Sequence, residues 1–403
     1  MSKLERLIQQ YCPDGVEYVK LDSVANICRG TRVVKSQLSD KGYPVYQNCL
    51  TPMGYFERSN CNAGITFVIC GGAAGNVGYT DVECWAADDC EFIIGGHQVI
   101  NRYIYYYLMT KQNYLLSKVR KASIPRLSPS IIKDLEIPLP PLPVQEEIVR
   151  ILDAFTELQA ELQAELQKRK QQYNYYLDNL LNFKDINRGG YQAEVRWMKM
   201  SEVFETITDY TAAGSFKSIA ENVKYLKSPD YAMLIRTTDL KSRFRKGDFI
   251  YVSKSAFDYL WRVKMDKECI VMPNVGNCGE IYYVHPNSLP YDNCALAPNA
   301  ILVRSKLFNN KYLSYCLQVE CFQKQLAKIT SPVGQSKFNK TELKKLLVPI
   351  PSLADQQKIV DILDRFDTIT TDLTQGLPAE IEKRRQQYEY YRDKLLTFKR
   401  KGA

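Results

Sequence analysis

The chain is 403 residues long, enough for two to four domains with cores of their own at about 100–200 residues each. Apolar residues make up 45% and charged residues 25%, the balance of a folded globular protein, which excludes a disordered chain. Lys and Arg number 54 against 45 Asp and Glu, and the resulting net charge of +9 permits a polyanionic partner without demanding one.

The opening Met1-Ser-Lys-Leu-Glu-Arg is charged and lacks the apolar stretch of a signal peptide. No run of about 18 apolar residues follows anywhere, so no membrane span is expected. The twelve cysteines contain no Cys-x-x-Cys, and none lies near His97 or His285 at zinc-ligand spacing. They are expected to be free thiols, mostly buried, in a reducing cytoplasm.

In chain order, Gly64-Ile-Thr-Phe-Val-Ile-Cys reads as a buried strand. It leads into Gly75-Asn76-Val77-Gly78, whose glycines allow either a hairpin turn or a close backbone approach to a ligand. Residues 102–126 carry six basic side chains, among them Arg102, Lys118, Arg120 and Lys121, together with five tyrosines and no acid. Tyr103, Ile104, Tyr107 and Leu108 have helical spacing, so part of this stretch faces a core. A proline cluster, PLPPLP, then precedes apolar residues at Ile148, Ile151, Leu152, Phe155, Leu158, Leu162 and Leu166. This spacing predicts a helix of about 40 residues and ~60 Å. Its middle is a tetrapeptide repeat, Glu157-Leu-Gln-Ala, Glu161-Leu-Gln-Ala, Glu165-Leu-Gln. Each unit of four adds ~6 Å and turns the leucines by ~40°.

The second half repeats this plan. Leu234-Ile-Arg-Thr-Thr-Asp-Leu reads as a strand running into a turn. Residues 241–264 hold seven basic side chains, including Lys241, Arg243, Arg245 and Lys246, interleaved with Phe244, Tyr251, Tyr259 and Trp261. Strands are expected at Glu268-Cys-Ile-Val-Met and Glu280-Ile-Tyr-Tyr-Val, with Gly276-Asn277-Cys278-Gly279 between them. A second proline cluster opens a second apolar stripe, with Gln356, Ile359, Ile362, Leu363 and Phe366 matching Gln145, Ile148, Ile151, Leu152 and Phe155 at an offset of 211. Gly376 and Pro378 are expected to end one helix and start another, with four extra residues near Thr374 in the break.

Two blocks carry the repeat most strongly. PLPPLPVQEEIVRILDAF (138–155) returns as PIPSLADQQKIVDILDRF (349–366), and KRKQQYNYYLDNLLNFK (168–184) as KRRQQYEYYRDKLLTFK (383–399). The connectors match better than the bodies between them. The reading is therefore α+β: two variable bodies, 1–143 and 188–351, each followed by a shared helix, 144–187 and 352–403. The helices are expected to pair antiparallel, like a coiled coil, and to make the chain pseudo-two-fold symmetric.

With Cys12-Pro-Asp-Gly-Val-Glu-Tyr at the start and DLTQGLPAEIEKRRQQYEYYRDKLLTF near the end, these blocks resemble the specificity subunit of type I restriction–modification enzymes. The resemblance implies two target-recognition domains, each reading one half of a split DNA site. It implies helices that set the gap between the halves and bind two methyltransferase subunits, with two motor–endonuclease subunits joining for restriction. It implies no cofactor on this chain: S-adenosylmethionine, ATP and Mg belong to the partner subunits. A tetrapeptide of ~6 Å corresponds to about 1.8 base pairs.

Lys and Arg neutralise phosphates, and Arg and Asn can read base edges. Gly75, Asn76, Gly78, Arg102, Lys118, Arg120 and Lys121 in the first body are therefore candidates for DNA contact. Lys241, Arg243, Arg245, Lys246, Gly276, Asn277 and Gly279 are their counterparts in the second. No P-loop and no methyl-donor fingerprint occurs, and no catalytic or metal-ligating set is assigned. Asp230, Asp239 and Lys241 alone have the loose spacing of a Mg-dependent nuclease. A DNA-cleaving enzyme built on those three residues, and a helical scaffold that binds only proteins, remain as alternatives.

Overall fold

The computed structural model describes residues 1–181, 183, 195–245, 247–331, 335–371 and 376–402. It divides into two units, Met1–Glu165 with Leu377–Ala403, and Leu166–Gly376. The division falls inside the helix Leu142–Leu181, so each unit holds one body and part of that helix.

The first unit contains strands β1 (Tyr18–Lys20), β2 (Ala25–Arg29), β3 (Tyr43–Tyr46), β4 (Tyr55–Phe56), β5 (Ile65–Ile69), β6 (Val77–Thr80), β7 (Trp85–Ala86), β8 (Cys90–Gly95) and β9 (Glu136–Pro138). Four form an antiparallel sheet in the order β2-β8-β5-β6. Its inner strand β5, Ile-Thr-Phe-Val-Ile, is buried along its whole length, which explains an apolar run without alternation. A second sheet runs β4-β3-β7, with β3 antiparallel to β4 and parallel to β7. The helix Asn101–Thr110 lies against β5 and β6 and buries Tyr103, Ile104, Tyr106, Tyr107 and Leu108.

The second unit repeats this plan with β10 (Arg196–Lys199), β11 (Thr206–Asp209), β12 (Ala232–Ile235), β13 (Ile250–Val252), β14 (Cys269–Pro273), β15 (Tyr282–Val284), β16 (Cys294–Leu296), β17 (Ala300–Arg304) and β18 (Leu347–Ile350). The four-stranded order is β11-β17-β14-β15. The three-stranded order is β13-β12-β16, again with one antiparallel and one parallel pair. Each unit also closes a two-stranded clip, β1 with β9 and β10 with β18.

The helix Leu142–Leu181 is 40 residues long, or about 60 Å, with Pro143 in its first turn. The second shared element is two helices, Leu353–Thr371 and Leu377–Leu395, broken where Gly376 and Pro378 predict. Thr374, at the expected insertion, lies outside the described residues. In each unit the helices pair antiparallel through a stacked aromatic pair. Phe155 meets Tyr391 in the first unit (5.6 Å between centroids) and Phe366 meets Tyr176 in the second (5.0 Å). These are equivalent pairs in the repeat, with the partners exchanged. Among the described residues no helix is long and apolar enough to cross a membrane.

Each body is held on its helix and on the strand that leads into it by the same three devices. Gln145 is fully buried; its Oε1 accepts from Ile100 N (3.0 Å) and its Nε2 donates to Gln98 O (2.8 Å) and Pro140 O (2.7 Å). Gln356, equally buried, accepts from Asn309 N (3.1 Å) and donates to Pro351 O (3.0 Å). Tyr103 Oη donates to Pro138 O (3.0 Å), and Tyr312 Oη to Pro349 O (2.9 Å). Tyr106 Oη donates to the Asp153 carboxylate as Tyr315 Oη does to Asp364. In the first unit the chain's last residues also join its first ones. Val16 N donates to Lys399 O (2.9 Å), Lys401 N to Val16 O (3.0 Å) and Tyr18 Oη to Phe398 O (3.0 Å).

Candidate nucleic-acid interface

The first glycine turn joins β5 to β6. Gly75 takes φ +86°, a left-handed conformation that L side chains rarely adopt. Gln112 clamps the turn, donating to Gly75 O (2.7 Å) and accepting from Val77 N (3.2 Å). Asn76 turns its Nδ2 back onto Ala73 O (2.8 Å). Gly78 serves packing, since a Cβ there would stand 2.4 Å from the Phe67 ring. In the second unit the turn between β14 and β15 has Gly276 at φ +86° and Gly279 at φ +106°. Gln323, at the position equivalent to Gln112, donates to Gly279 O (3.0 Å). Asn277 is exposed at the tip.

A basic hairpin lies against the first turn. Arg120 and Arg126 face each other through Arg120 N–Arg126 O (2.8 Å) and Arg126 N–Arg120 O (3.2 Å). The hairpin attaches by Gly72 N to Pro125 O (3.1 Å) and Leu127 N to Cys70 O (3.0 Å). Lys118, Arg120, Lys121 and Arg126 are all exposed. Together with Arg29, three of them (Lys118, Arg120 and Arg126) line a cavity of 430 Å³ floored by Asp88, Asp89 and Glu91. Arg126 Nη1 stands 3.4 Å from Asp89 Oδ1, and burial raises the Glu91 carboxyl above its ordinary pKa. Such a site sets exposed cations over an acidic floor.

The second unit builds the equivalent place from Ser331 and residues 335–337. Lys337 pairs in bridges with Val275 and Ser331, and Gly276 N donates to Ser336 O (2.8 Å). Gln335 and Lys337 are exposed there. Residue pattern alone misses these two, although carrying the offset of 211 forward from Arg126 lands on Lys337.

A further basic loop joins this face. The helix Thr237–Lys241 is followed by Arg243 at φ 50° and Phe244 at φ 58°. Two consecutive left-handed side-chain residues store about 1–3 kcal/mol each, a cost that concentrates at functional sites. Phe244 N donates to Asp239 O (2.9 Å) and its ring packs on the core, which holds the bend. Lys241 pairs with Glu280, beside the glycine turn. Burial alone would raise the Glu280 carboxyl, but Lys241 and the Tyr282 hydroxyl hold it below its ordinary value. Arg245 is exposed, and Lys246 lies outside the described residues.

Arg102 sits elsewhere. Its Nε is 2.8 Å from Asp153 Oδ1, and its guanidinium lies 4.3 Å from the Tyr79 ring centroid and 5.2 Å from that of Tyr106. Burial opposes its charge, yet Asp153 outweighs that and raises its pKa. Arg102 thus braces body against helix, as Lys311 does beside Asp364 (3.4 Å). The helix residues singled out by spacing are likewise turned inward. Ile148 and Leu152 belong to the first core and Ile359 and Leu363 to the second, all at most 1% exposed. Ile151, Phe155, Leu158, Leu162, Ile362 and Phe366 are half-buried, and Leu166 is buried.

The nuclease-like trio has no common focus. Asp239, 1% exposed, accepts a bidentate contact from Arg236 (3.0 and 2.7 Å) and caps the short helix from Arg236 N (2.9 Å). Lys241 is paired with Glu280, and Asp230 accepts from Tyr231 N. Among the described residues no group of three or more His, Cys, Asp or Glu could hold a metal ion. His97 is exposed, and His285 Nδ1 accepts from Asn287 N (3.2 Å).

Comparison with known proteins agrees with this duplication. The family model described as type I restriction modification DNA specificity domain matches residues 13–171 and again 192–383. A putative type I restriction enzyme specificity subunit of Haemophilus influenzae is 29% identical, over 98% of both chains. A type I restriction enzyme specificity subunit of Escherichia coli is 31% identical, over 75% of this chain and 72% of its own. The crystal structure of the S subunit of a type I restriction–modification system from M. genitalium is similar at TM-score 0.58 and 18% identity, over 94% of this chain and 95% of that one. A chain from a structural study of type I system assembly and conformational transition is similar at TM-score 0.56 and 14% identity, over 95% and 98%.

Proposed function

This chain belongs to the type I restriction–modification DNA specificity family, and we propose that it is the sequence-reading subunit of such a complex. One observation carries the reading: both bodies set exposed cations beside a clamped glycine turn, and both are tied to their helices by the same buried glutamine and by a tyrosine on a helix aspartate, Tyr106 on Asp153 and Tyr315 on Asp364. Each body reads one half of a split site in double-stranded DNA. Lys118, Arg120, Lys121 and Arg126 serve the first half; Lys241, Arg243, Arg245 and Lys337 serve the second. Cations of this kind neutralise phosphates and set register, while neighbouring polar groups reach base edges.

The helices hold the two readers at a set spacing and dock two methyltransferase subunits, to which two motor–endonuclease subunits add. S-adenosylmethionine, ATP and Mg act on those partners, and this chain contributes recognition without a reacting group. The nuclease and scaffold alternatives gain no support: the three candidate nuclease residues have separate partners.

Methylome sequencing of a strain co-expressing this chain with its methyltransferase subunit tests the reading. Replacing residues 190–345 by another such body should change one half of the methylated motif and leave the other intact; a change in both halves refutes it. Deleting Glu161–Ala164 removes ~6 Å of helix and should shorten the gap by about one to two base pairs.

A further inference from the structure

Cys61 and Cys84 stand directly opposite each other in the first unit. Cys61 N donates to Cys84 O (3.1 Å) and Cys84 N to Cys61 O (3.0 Å). In this register the Cα atoms of an antiparallel pair are about 5.5 Å apart, inside the ~4.4–6.8 Å that a disulfide spans. Asn60 fixes the register: its Nδ2 donates to Ala86 O (3.0 Å) and its Oδ1 accepts from Ala86 N (2.6 Å). The neighbouring Cys84 thiol holds the Cys61 thiol below its ordinary pKa, and Cys61 together with burial pushes that of Cys84 up. Cys61 is half-buried, whereas Cys84 is fully buried. A partly exposed cysteine therefore backs onto a sheltered one.

We propose that Cys61 and Cys84 are a reversible redox-modification site that takes a low-molecular-weight disulfide, such as oxidised glutathione, as co-reactant. The Cys61 thiolate attacks one sulfur of the oxidised glutathione, forming a mixed disulfide and expelling one glutathione thiolate. The Cys84 sulfur then attacks Cys61 and expels the second glutathione. Two cysteine thiols are oxidised to one S–S bond, one glutathione disulfide is reduced to two thiols, and the two cysteine protons end on the glutathione sulfurs.

The bond ties down one end of the segment 48–61. The other end rests on the glycine turn, where Ala73 N donates to Asn48 O (2.8 Å). Closing the disulfide stiffens the segment between them and, through it, the turn. In the second unit neither strand cysteine faces another: the strand partners of Cys269 and Cys294 are Val284 and Met233. The modification belongs to the first body, and it stands whether or not that body reads DNA.

The test uses the full chain, reduced and then incubated with oxidised glutathione, with peptide mass mapping and hydrogen–deuterium exchange. The expected product is a Cys61–Cys84 cross-linked peptide that dithiothreitol reverses and that C61S and C84S both abolish. C84S should instead trap glutathione on Cys61, while C61S leaves Cys84 unmodified. Amide exchange in 48–61 and 72–76 should slow in the oxidised wild type and not in either variant. Cross-links or adducts confined to other cysteines overturn the site, and unchanged exchange across 48–61 overturns its grip on the turn.

Discussion

Replacing Gln145 by Ala should loosen the first body from its helix more than replacing Gln356 loosens the second. Gln145 makes three hydrogen bonds to backbone groups that have no strand or helix partner, at 2.7, 2.8 and 3.0 Å. At about 1 kcal/mol net per bond, Gln145→Ala costs about 3 kcal/mol. Gln356 makes two such bonds, so Gln356→Ala costs about 2 kcal/mol. Urea unfolding followed by pulse hydrogen exchange reports each unit separately. The same experiment reads the bonds one by one: Ile100 N–H should lose protection in Gln145→Ala and Asn309 N–H in Gln356→Ala. Unaltered protection of Ile100, or losses below about 1 kcal/mol in both variants, refutes the view that these glutamines are pins.

The tyrosine–aspartate contacts predict that Tyr106→Phe and Tyr315→Phe each destabilise their own unit by about 1.5–3 kcal/mol, the range for a bond to a charged acceptor, in thermal melts. Glu147, 3% exposed, is held by Arg150 (2.7 Å) and Lys3 (2.7 Å), which together pull its pKa from 4.5 to about 2. Because the folded value is the lower one, the stabilisation is complete above about pH 4.5 and is lost as pH falls towards 2. Glu147→Gln should therefore flatten the acid limb of the urea midpoint against pH, and an unchanged limb would falsify the pairing. Gly78→Ala drives a Cβ into the Phe67 ring at 2.4 Å and should cost about 1–3 kcal/mol of overpacking, read as a lowered Tm.

Much of the architecture is legible in the residues because it rests on local periodicity. The buried run of β5, the 40-residue helix and the break at Gly376 and Pro378 each follow from a few adjacent side chains. The duplication is legible from the 138–155 and 349–366 blocks, and it reappears in both units down to the strand order. Charge counting is less informative. Arg102 and Lys118 look alike within one basic, tyrosine-rich stretch, yet Arg102 is committed to Asp153, 51 residues further along, while Lys118 stays exposed. The same holds for Asp239, whose apparent nuclease spacing dissolves into an ion pair with Arg236.

The residues alone set the class of the molecule: two unlike bodies on two like helices, in a family that the repeated blocks identify. Hydrophobic period, proline and glycine act over a few residues, and a repeat is visible without any coordinates. Which side chains are left exposed follows from the folded chain. Folding turned Gln145, Ile148, Gln356 and Ile359 inward, brought Ser336 and Lys337 to the second glycine turn, and set Cys61 against Cys84. Those outcomes depend on which distant group a side chain meets once the core closes, because burial and a fixed partner decide what a polar or charged side chain is left free to do.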